Sequence, residues 1–478
     1  MTDRREAVFT GDRTADRTAL AGRRRILLTV CLGAFMGTLD TSIVNVALPE
    51  IARQFHSSLG QISWVLVIYF LINVSLLLAS GRLGDLLAPG RLYLVGLTIF
   101  TGASALCGLS PGLGFMVASR AFQGVGASLM LGQAPKLIAL TYGEGERGLA
   151  LGLFSTAFAS GVSVGAPLGG LITYYLGWPY IFFINIPICT LALGLGSRVL
   201  SGLPAPHSWD WRAFDLRGAL TLAGVLGLLL LGLTWLRQGG WHGGGTGAVL
   251  GLSGMLFILL LFLEGRHPAP LLHRDLWRQW AFVLGSTAVV FTFAAVMGLF
   301  FLLPFFLEQI YGYSTEQTGF LLASLSVTNA LVAGIGGYLA DRLGNLLVLR
   351  TGAGLILLGL GSMLLTGAGD STLGLVGRFI LIGGGFGLFQ APNLNEIIRG
   401  APIALVGLAA STNAVLKHLG ALLGITTLVM VFAWINLHQV SLRGDVSLGI
   451  TAFHWAFAVA AVIGAVNLLV NLLPRRLS

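Results

Sequence analysis

Charge is scarce in this sequence. Asp, Glu, Lys and Arg make up 10% of its 478 residues, against roughly a quarter in ordinary soluble domains. Hydrophobic residues reach 55% and mean hydropathy is +0.86. That balance excludes a soluble globular chain and describes an integral membrane protein. Cysteine is scarcer still. Cys31, Cys107 and Cys189 lie singly in apolar stretches without metal-like spacing, which excludes a disulfide framework and leaves buried free thiols. Enzyme signatures are also missing: there is no phosphate-binding loop, no cluster of metal ligands and no nucleophile elbow. No cofactor and no metal are therefore expected. With no ATP site in the sequence, an ion gradient is the expected source of energy.

What is present is a series of apolar runs of 18 or more residues. They cover 26–48, 61–81, 91–110, 113–137, 149–175, 179–200, 216–236, 246–264, 280–310, 318–340, 346–366, 372–395, 404–433 and 451–473. The first alone is 23 residues long, enough at ~1.5 Å per residue to cross a hydrocarbon core of ~30 Å. It is too long for a signal-peptide core and lacks a small-residue cleavage site, so it belongs to the mature protein. Residues 1–25, with seven Arg, four acids and almost no apolar content, read as a disordered cytoplasmic tail.

The net charge of +9 follows from topology and does not imply a nucleic-acid partner. With both termini on one side, Arg53, Arg237 and Arg443 fall in loops on the far side, while Arg120, Arg378 and Lys417 fall within spans. The remaining 22 of the 28 Lys and Arg lie on the near side. The positive-inside rule makes that side the cytoplasm.

The chain repeats itself. "GRLGDLL" at 81–87 resembles "GYLADRL" at 337–343, with Asp85 and Asp341 separated by 256 residues. "GQAP" and "FQAP" end at Pro135 and Pro392, separated by 257. Two pairs at nearly one offset imply two copies. An N-terminal six-helix bundle at 26–203 and a C-terminal one at 280–478, with an inserted pair of helices and cytoplasmic linkers at 204–279, fit the spacing best. Parallel repeats of this kind are a transporter architecture, with the site near the midplane between the halves. The 68 glycines suit close helix packing in lipid.

Five motifs, in order and on the expected elements, resemble the major facilitator superfamily and within it the fourteen-helix drug:proton antiporter branch. "LDTSIVNVALP" is similar to the branch's first-helix signature, "GRLGDLLAPGR" to the loop between helices 2 and 3, and "RAFQGVGAS" to the fourth-helix motif. "GAPLGG" resembles the antiporter motif of helix 5, and "WPYIFFINIP" the entry to helix 6. The resemblance implies an all-α fold of fourteen transmembrane helices, two six-helix bundles plus two inserted.

Asp40 is the charge that most needs a reason, since it sits too deep for its short side chain to reach an interface. It is expected to face the cavity between the halves, the other reading being a protonated aspartate that hydrogen-bonds a neighbouring helix. Arg120 in the fourth span requires a carboxylate, carbonyls or water, or else reaches the outer interface; Asp40 or Asn45 is its natural partner. The resemblance links this arginine to proton coupling, and an Asp40 that meets Arg120 in one conformation and loses it in another would change its proton affinity during a cycle. Around the tight turn, Gly81, Asp85 and Arg91, with Asp341 in the second copy, are the expected conformational gate. Ala88, Pro89 and Gly90 depart from the family pattern there and imply a weaker latch. On helix 5, Gly161, Gly165 and Gly169 form a smooth stripe. With Pro167 and Gly170 they make up the antiporter motif, which the resemblance assigns to sealing the halves, close packing of neighbouring helices being the other reading; Ala166 displaces the proline by one position from the family's.

Asn45, Gln123, Gln133, Glu308, Gln390, Asn393 and Lys417 are the expected substrate cavity. For Gln133, Gln390 and Asn393 the alternative is satisfying backbone freed by the neighbouring prolines. Glu308 stands where the family often has glutamine, and an interfacial position is the other reading. Lys417, beside His418, either pairs with an acidic group or an anionic part of the substrate, or snorkels. Sparse intramembrane acid favours neutral, zwitterionic or monocationic cargo over dications. The reading that results is a non-enzymatic, proton-coupled antiporter of the multidrug efflux type. It would export hydrophobic, amphipathic or cationic small molecules by alternating access, as a multi-pass monomer of the cell membrane with both termini cytoplasmic. Its partners would be the lipid bilayer, the substrate and protons. A carrier of a lipid or endogenous metabolite is the alternative, and a non-transporting receptor, scaffold or membrane-embedded enzyme ranks last.

Overall fold

The computed structural model describes residues 3–203, 216–239, 244–265, 274–367, 369–399, 401–402, 405–443 and 448–474. All regular structure among them is helical, as expected where backbone groups must be satisfied without water. In chain order the helices are α1 Asp3–Gln54, α2 Leu59–Ile62, α3 Trp64–Leu86, α4 Pro89–Gly108, α5 Leu113–Thr141, α6 Glu144–Leu176, α7 Pro179–Phe183, α8 Asn185–Ser201, α9 Leu216–Gly239, α10 Gly244–Glu264, α11 Arg274–Arg278, α12 Trp280–Tyr311, α13 Thr315–Leu343, α14 Asn345–Ser362, α15 Thr372–Arg399, α16 Val406–Arg443 and α17 Leu448–Leu472. Twelve are long and apolar enough to cross a membrane. Of the fourteen runs expected to do so, α5 and α9 are helical but fall outside that set. The first carries Arg120, Gln123, Gln133 and Lys136 along its length, and the second has a shorter apolar stretch, Leu220–Gly232. Helix α1 begins at Asp3, inside the segment read from sequence as a disordered tail.

Local chemistry sets the helix ends. Pro89 and Pro179 occupy first-turn positions, where a missing N–H costs nothing. Ser58 with Gln61 and Ser314 with Gln317 form capping boxes. The two serines are 256 residues apart, the same offset as Asp85 and Asp341. Gly312, at φ 68°, ends α12 in the left-handed region that glycine enters freely.

Helices α1 to α8 pack into one bundle and α12 to α17 into another. The repeat extends to the packing. In the first bundle α4 crosses α5 where Gly96 meets Gly126; in the second α14 crosses α15 where Gly352 meets Gly385. A Cβ at Gly126 or at Gly385 would lie 2.7 Å from the facing glycine carbonyl oxygen, so each crossing requires the missing side chain. Helix α9 packs on α3 and α16, one from each bundle, and α10 packs on α9. The outward-facing Met255 and Ile258 of α10 are exposed, as suits a lipid-facing helix.

Candidate functional site

Asp40 lies on α1 with Arg120, from α5, beside it, and neither has any exposed surface. Arg120 Nη1 donates to Asp40 Oδ2 at 2.5 Å. The other carboxylate oxygen, Oδ1, accepts from Gln123 Nε2 and from Asn185 Nδ2, both at 2.8 Å. Ser104 Oγ on α4 accepts from the same two amides at 2.8 and 3.1 Å. The guanidinium is held from other directions as well. Its Nε donates to the Val65 carbonyl at 3.0 Å, Nη1 also donates to Gln123 Oε1 at 2.5 Å, and Cζ sits 4.5 Å from the centroid of the Tyr69 ring. Five helices of the first bundle, α1, α3, α4, α5 and α8, thus converge on one ion pair.

This arrangement has a specific electrostatic property. Breaking a buried pair by removing one partner typically costs ~3–5 kcal/mol, because the survivor is left uncompensated. Here each partner has other company. Protonated Asp40 would leave Arg120 on a carbonyl, an amide oxygen and a π face; withdrawal of Arg120 would leave the carboxylate on two amide donors. Each partner thus keeps hydrogen bonds apart from the other, although Arg120 Nη2 has none among the described residues.

Asp40 is one of the two partners, with Asn45, that the sequence offered for Arg120, but the surroundings of the pair were not expected. Asp40 was expected to face the cavity between the halves, yet every hydrogen-bonding partner described for it belongs to the first bundle. Gln123 was expected to line the substrate cavity and is fully buried on Asp40 instead. Sequence reasoning passed over Tyr69, Ser104 and Asn185. Asn185 carried a readable signal, a carboxamide inside an apolar helix.

The glycine stripe also faces another way. Gly161, Gly165 and Gly169 lie against α1, beside Asp40. A Cβ at Gly165 would be 2.5 Å from Ser42 Cβ, and one at Gly169 2.8 Å from the Ile43 carbonyl oxygen. Thr38 Oγ1 and Ser42 Oγ bridge the same interface by donating to the carbonyls of Phe158 and Val162, at 2.8 and 2.9 Å. The stripe therefore seats α6 on α1 within one bundle. Gly170 is the member that faces the other half, where a Cβ would be 2.6 Å from the Thr315 carbonyl oxygen of α13. Pro167 is accommodated inside α6.

Contacts between the halves gather toward the end of the molecule that carries Gln54. Asn45 Nδ2 donates to the Phe300 carbonyl at 2.7 Å, Ser163 Oγ to the Ser326 carbonyl at 3.0 Å, and Tyr175 Oη to Glu316 at 3.4 Å. Arg53 Nη2 lies 3.2 Å from Glu308 Oε2 and also pairs with Glu50. Glu308 is nearly enclosed while Arg53 is mostly exposed, and Thr315 Oγ1 donates to Glu308 Oε1 at 3.1 Å. A cleft of about 400 Å³ opens beside this pair. Asn45 and Glu308, both expected in a substrate cavity, thus hold the halves together. At the opposite end Leu149 and Leu153 of α6 and Leu331, Ile335 and Tyr338 of α13 are exposed.

At that opposite end Arg91, on the first turn of α4, and Asp341, near the end of α13, are exposed. Gly81 lies beside Gly132 of α5. The side chain of Asp85 is outside those described. Gln133 donates to the Ser80 carbonyl of α3 and Asn393 Nδ2 to the Gly285 carbonyl of α12 at 3.1 Å, so both bond the backbone of a neighbouring helix and not the backbone freed by Pro135 or Pro392. Gln390 Nε2 donates to Asn329 Oδ1 at 3.2 Å. Lys417 Nζ sits 5.5 Å from the centroid of the Phe293 ring.

Two like bundles around intramembrane charge have counterparts among known proteins. The family model described as Major Facilitator Superfamily matches residues 30–425. The chain is 31% identical to the riboflavin transporter RibZ of Clostridioides difficile over 93% of its own length and 96% of that protein's. It is 30% identical to the multidrug resistance protein Stp of Mycobacterium tuberculosis, over 86% and 76%. A crystal structure of a peptide transporter superposes with a TM-score of 0.68 at 16% identity, covering 94% of this chain and 93% of that one. With a repeat visible in sequence, caps and helix crossings alike, and a family match spanning both bundles, the chain belongs to the Major Facilitator Superfamily and is a membrane transporter.

Proposed function

We propose that the protein is a proton-coupled antiporter that exports amphipathic small molecules by alternating access. The observation that carries this reading is the buried Asp40–Arg120 pair, in which each partner keeps other hydrogen bonds when the pair separates. A proton entering Asp40 neutralises the carboxylate and releases Arg120 without leaving it bare, and the glycine stripe links that event to α6. Gly170 of α6 meets α13 of the other half, so a shift of α1 against α6 reaches the interface between halves. Helices α5 and α9 are taken to cross the membrane with the other twelve, giving fourteen spans; the excess of arginine supports a cytoplasmic Gly81–Arg91 end, and the protein is read as a monomer of the cell membrane. The conformation is then inward-facing, closed at the Arg53–Glu308 end.

The multidrug resistance relative supports drug-like cargo. The riboflavin transporter, matched over nearly its whole length, supports the second reading, carriage of an endogenous metabolite. Substrate-driven proton release from proteoliposomes, measured against a panel of dyes, antibiotics, vitamins and lipids, tests the proposal. Release driven by at least one compound is expected; substrate movement with no proton movement under any gradient would contradict it.

A further inference from the structure

Several charged side chains described within the second half have charged, carbonyl or amide partners. Arg378 pairs with Asp370, Arg350 Nε donates to the Asn471 carbonyl at 2.9 Å, and Glu396 accepts from Asn345 Nδ2 at 3.0 Å. Lys417 differs. Among the described residues its ammonium has neither an ion pair nor a hydrogen bond, and only the Phe293 ring approaches it, at 5.5 Å. Lys417 is half-buried, and a ring quadrupole compensates its ammonium less than a counter-charge would. Lys417 is also nine residues into the span that begins at Leu408, about 14 Å at ~1.5 Å per residue, farther than a lysine side chain spans.

Its position bears on the substrate. The bond from Asn45 to the Phe300 carbonyl aligns α1 with α12. Asp40 is five residues back from that bond on one helix and Phe293 seven back on the other. Phe293 therefore lies within roughly 3 Å of the depth of Asp40 along the helices, in the opposite half, and the Lys417 ammonium lies 5.5 Å from its ring. Phe293 meets Phe386 of α15 edge-on at 5.1 Å. His418, the next residue, approaches Phe70 of the first half at 5.8 Å between ring centroids, which puts this stretch of α16 at the seam between the bundles.

The charge balance at this depth is uneven. Asp40 and Arg120 neutralise each other. Glu308 is fifteen residues along α12 from Phe293, about 22 Å by the same rise, and faces Arg53. Glu396 lies ten residues along α15 from Phe386, about 15 Å. Among the described residues, one positive charge without an ion-pair partner therefore stands beside aromatic rings at the midplane seam.

We propose that Lys417 is a substrate-binding residue and that the transported molecule is an organic anion: a carboxylate or sulfonate next to a planar apolar body that packs on Phe293 and Phe386. This names the cargo class for the transporter proposed above and replaces the neutral, zwitterionic or monocationic preference drawn from sequence. The lone cation completes its coordination when substrate is bound, and the aromatic pair gives the apolar body a surface.

The test uses the full chain in lipid nanodiscs and three isosteric probes, 2-naphthoate, 2-naphthamide and 2-naphthyltrimethylammonium, titrated calorimetrically. Wild-type protein should bind naphthoate about tenfold or more tightly than the amide, the range of a charge-assisted hydrogen bond, and the cation no better than the amide. Lys417→Gln should bring naphthoate to parity with the amide, and Lys417→Arg should keep the preference. Equal wild-type affinities, tightest binding of the cation, or a preference for naphthoate that survives Lys417→Gln would each overturn the proposal. The wild-type comparison needs no variant, so a folding defect cannot obscure it. Binding needs no gradient either. An anion preference without proton exchange would refute antiport alone, and proton exchange without an anion preference would refute this inference alone.

Discussion

Replacing Glu308 by glutamine should loosen the closed end of the transporter. The carboxylate is nearly enclosed, 3.2 Å from Arg53 across the boundary between halves, and its other oxygen is held by Thr315. Glutamine keeps the length and the bond to Thr315 but removes the charge. At an effective dielectric constant of 20 the Coulomb attraction at this separation is about 5 kcal/mol, which is an upper bound. Arg53 is 60% exposed and retains Glu50 as a second partner, so solvent screening brings the net effect toward the range of surface pairs. A loss of about 1–2 kcal/mol for the closed form follows, raising the ratio of open to closed about 5- to 30-fold. Spin labels at His56→Cys and Gln309→Cys, both in the walls of the cleft, on a background without the three native cysteines, report the separation by pulsed dipolar spectroscopy. The longer-distance population should grow in Glu308→Gln. Adding Arg53→Gln should change little more, because the pair is already broken. A distance distribution identical to that of the parent would refute the assignment of this pair as a closure.

Three further outcomes are expected. Gly165→Ala should destabilise the α1–α6 contact by about 1–3 kcal/mol through overpacking against Ser42, seen as a lower midpoint of thermal unfolding in detergent; Gly112→Ala, where nothing lies within 4 Å, should leave it unchanged. Asn185→Leu removes one of the donors to Asp40; the loss of a buried bond to a charged group, about 1.5–3 kcal/mol, should lower the midpoint of thermal unfolding, and proton-driven transport by the folded protein should slow. In intact cells a cysteine at Gly112, between α4 and α5, should label from outside and one at Gly143, before α6, only from inside; labelling of both from one side would remove the crossing of α5. The corresponding positions for the inserted helices, Gly243 outside and His207 inside, lie beyond the described residues and are open to the same assay.

Much of this structure was readable along the chain and little of it across the chain. Composition and run length located the helices, and two motif pairs revealed a repeat that Ser58 with Ser314, and Gly96 with Gly352, extend. Asp40 and Arg120 could be paired because each is too costly in lipid to stand alone. Sequence fixes a residue's depth in its helix but not which neighbour its side chain meets. That is why Gln123 was placed in a cavity when it bonds Asp40, and why the glycine stripe was assigned to the junction of the halves when three of its members face α1. Tyr69 and Ser104 gave no signal, since a tyrosine and a serine cost little in an apolar helix and are common there. The Arg53–Glu308 contact depends on which end of the molecule is closed. That is a property of the conformation, and no local pattern records it.

The central claim is that protons pass through Asp40, and Asp40→Asn in proteoliposomes tests it most directly. Asparagine preserves size and can still accept hydrogen bonds from the neighbouring amides, but it cannot exchange a proton. With substrate binding confirmed by calorimetry, proton release on substrate addition should disappear in the variant and an imposed pH gradient should no longer drive substrate uphill. Uphill transport by Asp40→Asn at the wild-type proton-to-substrate ratio would contradict the account.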